Sequence, residues 1–163
     1  MDCFECNTES SVKQDQITHK YKECGLDNVI LEGVLRSHCD KCGEETFNFG
    51  DLEQLHNLIA MTLVRKKSLL SGKEIRFLRK NLGYNGAMFA KLLSKSPETV
   101  SRIENGEDVK PAFDRLVRFA VLTKLPNRNY DFHDQILNES GTKVESIKLH
   151  QRNHNWEMVS NAA

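Results

Sequence analysis

At 163 residues the chain is long enough for one domain or two small ones. Apolar residues make up 39% and charged residues 28%, an ordinary globular composition, and no apolar run nears the roughly 18 residues of a membrane span. The formal net charge is zero, which excludes a uniformly basic nucleic-acid binder but conceals an asymmetry. Residues 1–50 hold 5 Lys/Arg against 10 Asp/Glu, whereas residues 64–128 hold 15 against 6. A basic middle after an acidic start suggests a phosphate-binding module joined to a segment with another task. The start also lacks the basic-then-apolar order of a signal peptide, so the chain is expected in the cytoplasm.

Cys3-Phe4-Glu5-Cys6 opens the chain and Cys39-Asp40-Lys41-Cys42-Gly43 answers it. Two C-x-x-C pairs in an intracellular protein predict four thiolate ligands, Cys3, Cys6, Cys39 and Cys42, around one tetrahedral zinc ion. Four thiolates leave no open coordination position, so one structural Zn2+ per chain is expected. Strands are expected at His19–Lys22, at Val29–Leu35 and near Thr46-Phe47, with Cys24–Asn28 turning between the first two. Such a small region needs its metal to fold. A redox role for the C-x-x-C pairs is the competing reading, but no βαβ pattern surrounds either. Cys24 is expected to be a half-buried strand residue, and His38 a neighbour of the site.

Asp51 caps a predicted helix with Leu52, Leu55, Leu58, Ile59 and Leu63 at helical spacing. It ends at Arg65-Lys66-Lys67, expected to be a solvated helix end. Ser71-Gly72-Lys73-Glu74 matches a capping box and starts a helix with Ile75, Leu78 and Leu82 inward, closed by Gly83. In Gly86–Gly106, Phe89, Ala90 and Leu93 form one apolar stripe, and Val100 and Ile103 a second. Ser94-Lys95-Ser96 interrupts them, and Pro97 follows Ser96 at a helix start. Two short helices joined by a tight turn predict a helix-turn-helix, whose second helix enters the major groove. Its outward residues are Ser96, Glu98, Thr99, Ser101 and Arg102, with Lys95 placed for a phosphate. Pro111 starts another helix, carrying Phe113, Leu116, Val117 and Ala120, which ends before Pro126.

The stretch from Ser68 to Leu125 resembles the Cro/phage-repressor (Xre) class of helix-turn-helix domains. The resemblance rests on Gly83, Asn85, Phe89-Ala90, Val100, Ile103 and the closing Glu104-Asn105-Gly106. It implies a pair between Arg79 and Glu104, and a further helix for dimer contacts, for which Asp131–Asn138 is available. Ser94 stands where the class has a turn glycine, Lys95 where it has an apolar residue, and Gly86 where it often has glutamine.

A four-cysteine region followed by such a domain resembles the MqsA-type (YgiT-type zinc finger) antitoxins. The matching residues are Cys3, Cys6, Cys39, Cys42-Gly43-Glu44, the Val-Leu strand before Cys39, and Ser101-Arg102. The resemblance implies a zinc region that binds a toxin, commonly an mRNA-cleaving ribonuclease, and a dimeric domain that represses the operon at a palindromic operator. The family's base-reading arginine falls on Arg102, and its asparagine position holds Glu98, which can accept from cytosine N4. A strand edge at Val29–Leu35 would give that partner main-chain contacts.

The expected fold is therefore α+β. It has a small zinc-binding β-rich domain with a linker helix at 1–67, an all-α helix-turn-helix domain at 68–138 and a flexible tail at 139–163. The two cores are expected to be separate. No Gly-rich phosphate loop, nucleophile elbow or paired catalytic carboxylates can be placed, so no enzyme is expected. His150 and His154 lack the Glu of a metalloprotease motif and are read as solvated. A stand-alone zinc-containing regulator with no toxin is the alternative.

Overall fold

A computed structural model describes residues 2–9, 11–124, 146–153 and 155–159. The strands are β1 (Val12–Lys20), β2 (Val29–Cys39) and β3 (Glu45–Asn48). Five helices follow: α1 (Leu52–Arg65), α2 (Gly72–Asn81), α3 (Gly86–Leu92), α4 (Pro97–Glu104) and α5 (Pro111–Lys124). Two further strands, β4 (Ile147–Arg152) and β5 (Asn155–Met158), end the described chain. The expected helix at Asp131–Asn138 lies outside the described residues.

β2 is the spine of the sheet. Antiparallel β1 lines one side of it, and its other side is shared by β3, opposite Leu35–His38, and β4, parallel to Val29–Glu32. Between the pairs Ile17–Val34 and His19–Leu31 the register advances two residues on β1 and three on β2. The extra residue is accommodated at Gly33, which takes φ +77°. This bulge keeps Leu31 and Val34 both buried although they are an odd number of residues apart. A β-carbon on Gly33 would sit 3.2 Å from the Gln151 carbonyl oxygen, so glycine also admits the turn side of β4.

Three expectations are corrected here. The first strand runs over Val12–Lys20, not His19–Lys22, because its alternation of polar residues carries almost no apolar signal. The Val29–Leu35 segment offers no free edge: both of its sides are paired. Nor is 139–163 a tail throughout, since β4 and β5 extend the sheet and bury Ile147, Leu149 and Trp156. The Trp156 indole Nε1 donates to the Phe49 carbonyl at 2.8 Å, and its backbone amide donates to Gln54 on α1 at 3.0 Å.

The buried apolar residues of sheet and helices form one continuous cluster, from Tyr21 and Leu31 through Leu55, Ile59 and Leu63 to Ile75, Phe89, Val117 and Trp156. The separate cores expected from the sequence are thus a single core. α1 joins the two regions: Asp51 caps it, accepting from the Gln54 amide at 3.0 Å, and it buries Leu55, Ile59, Ala60, Leu63 and Val64. Ser71 and Glu74 form the capping box of α2. Gly72 lies so close to the Ile103 carbonyl at the end of α4 that a β-carbon would collide with it.

The segment between α1 and α2 is clasped by α5. Arg118, 4% exposed, donates to the carbonyls of Val64 at 2.7 Å, Lys66 at 2.6 Å and Ser68 at 2.7 Å. It also pairs with Asp114, whose Oδ1 accepts from the Leu70 amide at 2.7 Å. Lys66, expected to be solvated, instead pairs with Glu74 at 2.6 Å, with both side chains under 10% exposed. A guanidinium at the carbonyl end of α1 also suits the helix dipole. Removing one partner of such a buried network strands the other, so Arg118→Met should lower the unfolding free energy by about 3–5 kcal/mol. Urea unfolding of the variant measures this, with Lys73→Ala, which breaks the exposed pair with Asp27, expected to leave the midpoint nearly unchanged.

Candidate nucleic-acid interface and metal centre

The helix-turn-helix is built on the buried residues Phe89, Ala90, Leu93, Val100 and Ile103, the two stripes read from the sequence. Asn85 caps α3, accepting from the Met88 amide at 2.8 Å, and Ser96 caps α4, accepting from the Thr99 amide at 3.2 Å. The turn between them places Ser94 at φ +53°, the left-handed conformation that favours glycine. The Lys95 amide then closes back on the Ala90 carbonyl at 2.9 Å. With Val100 and Ile103 inward, Lys95, Ser96, Glu98, Ser101 and Arg102 are exposed and Thr99 is half-buried.

The end of α4 is fixed from α2. Buried Glu104 accepts from Arg79 Nε at 2.6 Å and Nη2 at 2.8 Å, and from Arg76 Nε at 3.2 Å. The Arg79 pairing follows the resemblance; the Arg76 contact had no signal in the sequence. Burial pushes the Glu104 carboxyl upward, but the hydrogen bonds and charges of Arg79 and Arg76 outweigh it and hold it below the ordinary value. A lowered carboxyl stabilises the fold above its unfolded pKa, and that contribution is lost as pH falls through the folded value.

At the other end of the molecule, Cys3, Cys6, Cys39 and Cys42 come together, with every pair of sulfurs within 4.8 Å. Cys3 and Cys42 are 3.6 Å apart, and Cys6 and Cys39 are 3.7 Å apart. Four sulfurs about 2.3 Å from a tetrahedral ion lie about 3.8 Å from one another, far beyond a disulfide bond. The donor set and spacing fit one metal ion of thiolate preference.

Each pair sits in a backbone knuckle. The Asn7 amide donates to the Cys3 carbonyl at 2.9 Å, with Asn7 at φ +53°, and the Gly43 amide donates to the Cys39 carbonyl at 3.0 Å, with Gly43 at φ +77°. Thr8 and Ser11 were not foreseen; their hydroxyls lie 3.3 Å from Cys6 Sγ and 3.2 Å from Cys39 Sγ. Only folding of β1 against β2 brings Ser11 to Cys39. The Ser11 hydroxyl, with the Cys42 and Lys41 amides, lowers the Cys39 thiol to about 6. The Glu44 amide works downward on Cys42, but desolvation and the three neighbouring sulfurs push it up to about 12. Thiolates this close together repel one another, and a divalent ion removes that penalty. Cys24 lies outside the cluster, half-buried in a turn rather than a strand, its thiol 3.4 Å from the Tyr21 carbonyl.

A helix-turn-helix family model matches residues 75–126. The match covers about a third of the chain and shows a region of the kind that binds DNA in transcription regulators. No curated protein and no solved structure matches the chain. Among the described residues no helix is long and apolar enough to cross a membrane.

Two outcomes are expected. Cobalt added to reduced protein should give the intense visible bands of a tetrahedral tetrathiolate at one ion per chain, fading on acidification as protons compete for the sulfurs. Weak octahedral bands would contradict the cluster as metal centre. Ser94→Gly should raise the unfolding free energy by about 1 kcal/mol, read by thermal melting, because it relieves a left-handed serine.

Proposed function

We propose that this protein is a dimeric, sequence-specific repressor of a toxin-antitoxin operon. Its helix-turn-helix would read a palindromic operator, and its sheet region would bind a small basic toxin, a ribonuclease by the family resemblance. The observation that carries the reading is the outer face of α4. Val100, Ile103 and Glu104 are turned inward, which leaves Ser96, Glu98, Ser101 and Arg102 exposed along a helix fixed at both ends. In the major groove Arg102 bonds guanine O6 and N7, and Glu98 accepts from cytosine N4. Ser96, Thr99 and Ser101 add hydroxyl contacts, while Lys95 at the turn takes a phosphate.

Cys3, Cys6, Cys39 and Cys42 would hold structural zinc. Four thiolates close the coordination sphere, so the ion supplies folding free energy and no reactive position. Two observations support a basic partner for the sheet region. Residues 1–50 carry twice as many acids as bases, which steers a cationic protein into encounter. A cavity of about 190 Å³ beside the knuckles counts the acids Asp2, Glu5 and Glu44 among its lining residues, with Cys3, Val12 and Thr46. With Val29–Leu35 paired on both sides, main-chain addition there is not part of the proposal. The regulator half stands without the toxin.

The test uses the full chain and duplexes selected from a random pool. Arg102→Ala should weaken the selected site by about 1–3 kcal/mol and relax one base position. Lys95→Ala should weaken all duplexes alike and flatten the salt slope by about 1. Both variants should still bind the product of the neighbouring gene. Unchanged affinity in Arg102→Ala would refute the assigned recognition face. A neighbouring product that forms no complex with the wild type would leave a stand-alone regulator.

A further inference from the structure

Ser11 stands where the two knuckles meet. It follows the first C-x-x-C pair and directly precedes β1, yet it reaches the second pair. Its carbonyl accepts from the Asp40 amide at 3.0 Å, and the Cys39 thiol donates to its hydroxyl oxygen at 3.2 Å. The hydroxyl in turn donates to the Thr8 carbonyl at 2.8 Å. The Lys41 amide, 3.4 Å from Cys39 Sγ, and the Thr8 hydroxyl, 3.3 Å from Cys6 Sγ, each come from their ligand's own knuckle. Ser11 instead links the Thr8 turn of one knuckle to a ligand of the other. It is 5% exposed and Cys39 3%, which keeps bulk water from replacing either partner.

A serine hydroxyl has one proton to give and two lone pairs to accept with. Beside a Cys39 thiol it accepts from sulfur and gives its own proton to Thr8. Beside a metal-bound thiolate it has nothing to accept, because that sulfur carries no proton. The hydroxyl proton then has two acceptors within reach, and the charged sulfur forms the stronger bond. Turning away from Thr8 strands no buried group, because the Cys3 amide also donates to the Thr8 carbonyl, at 3.2 Å. The turn is a rotation about one C–O bond and moves no backbone.

We propose that Ser11 is a positioning residue for the metal centre: its hydroxyl donates to Cys39 Sγ when the four cysteines hold an ion, and so keeps the second knuckle in register with the first. The proposal rests on Cys3, Cys6, Cys39 and Cys42 being a metal centre. Partners of this kind orient a ligand and set how tightly it holds its ion.

The test uses the reduced full chain loaded with one cobalt ion. A hydrogen bond draws electron density from a thiolate, so losing it makes transfer of charge from sulfur to cobalt easier. Ser11→Ala should therefore move the charge-transfer band to longer wavelength and weaken cobalt about tenfold against a chelator. Ser11→Thr, which keeps the hydroxyl, should match the wild type in both readouts. Buried Trp156 reports by its fluorescence that each variant is folded. In folded protein, an unmoved band in Ser11→Ala, whatever its affinity, would overturn the proposal and leave Ser11 a packing residue. Ser11→Thr shifted as far as Ser11→Ala would overturn it equally. If Ser11→Ala does not fold, nuclear magnetic resonance of the wild type loaded with a spin-active cadmium isotope decides. Scalar coupling between the ion and the Ser11 hydroxyl proton is expected there, and its absence would overturn the proposal. Wild type without tetrathiolate bands would overturn the metal reading and the proposal with it.

Discussion

The buried pair of Arg118 and Asp114 ties the molecule together. Four of its hydrogen bonds reach the 64–70 segment and two close the pair itself, with Val64, Lys66 and Ser68 supplying carbonyls and Leu70 an amide. Backbone groups between two helices have no ladder to satisfy them, and left buried and unpaired each would cost about 1–3 kcal/mol. The clasp meets that need and sets the direction in which α2 leaves α1. Glu74 reinforces it by accepting from both the Ser71 amide and Lys66 Nζ at 2.6 Å. The join is therefore a built element and not a linker.

Everything downstream inherits this geometry. α1 carries the sheet on one side through Leu55, Ile59 and Trp156, and the helix-turn-helix on the other through α2 and α5. β2 passes from that shared core at Val29 and Leu31 to Cys39 in the knuckle cluster. A metal ion that fixes Cys39 thus fixes the end of the strand whose beginning lies in the core. Along the same chain of contacts, α4 is held by Arg79 and Glu104, so the side chains it offers to DNA are presented from a fixed base.

What the sequence made legible was local. The stripes Phe89-Ala90-Leu93 and Val100-Ile103, the Ser71–Glu74 capping box and the two C-x-x-C pairs are patterns within a few residues, each visible without a partner distant in the chain. The rest depended on partners distant in the chain. β4 has only Ile147 and Leu149 to signal burial, and its partner β2 lies more than a hundred residues earlier. β1 reads as polar because its outward residues dominate. Arg118 looks like one more helix charge until Val64, Lys66 and Ser68 are brought to it, and Ser11 has no meaning before β1 lies against β2.

The central claim is that the cysteine-held sheet and the helix-turn-helix share one cooperative core, and the chain's single tryptophan reports on it directly. Trp156 is buried where β5 meets α1, so its fluorescence follows the sheet side, while far-ultraviolet circular dichroism follows chiefly the helices. Urea unfolding of the metal-loaded protein, read by both probes in one sample, should give coincident transitions with one midpoint, and metal removal should move both together. Two separated midpoints, or a metal effect on the tryptophan alone, would contradict the account.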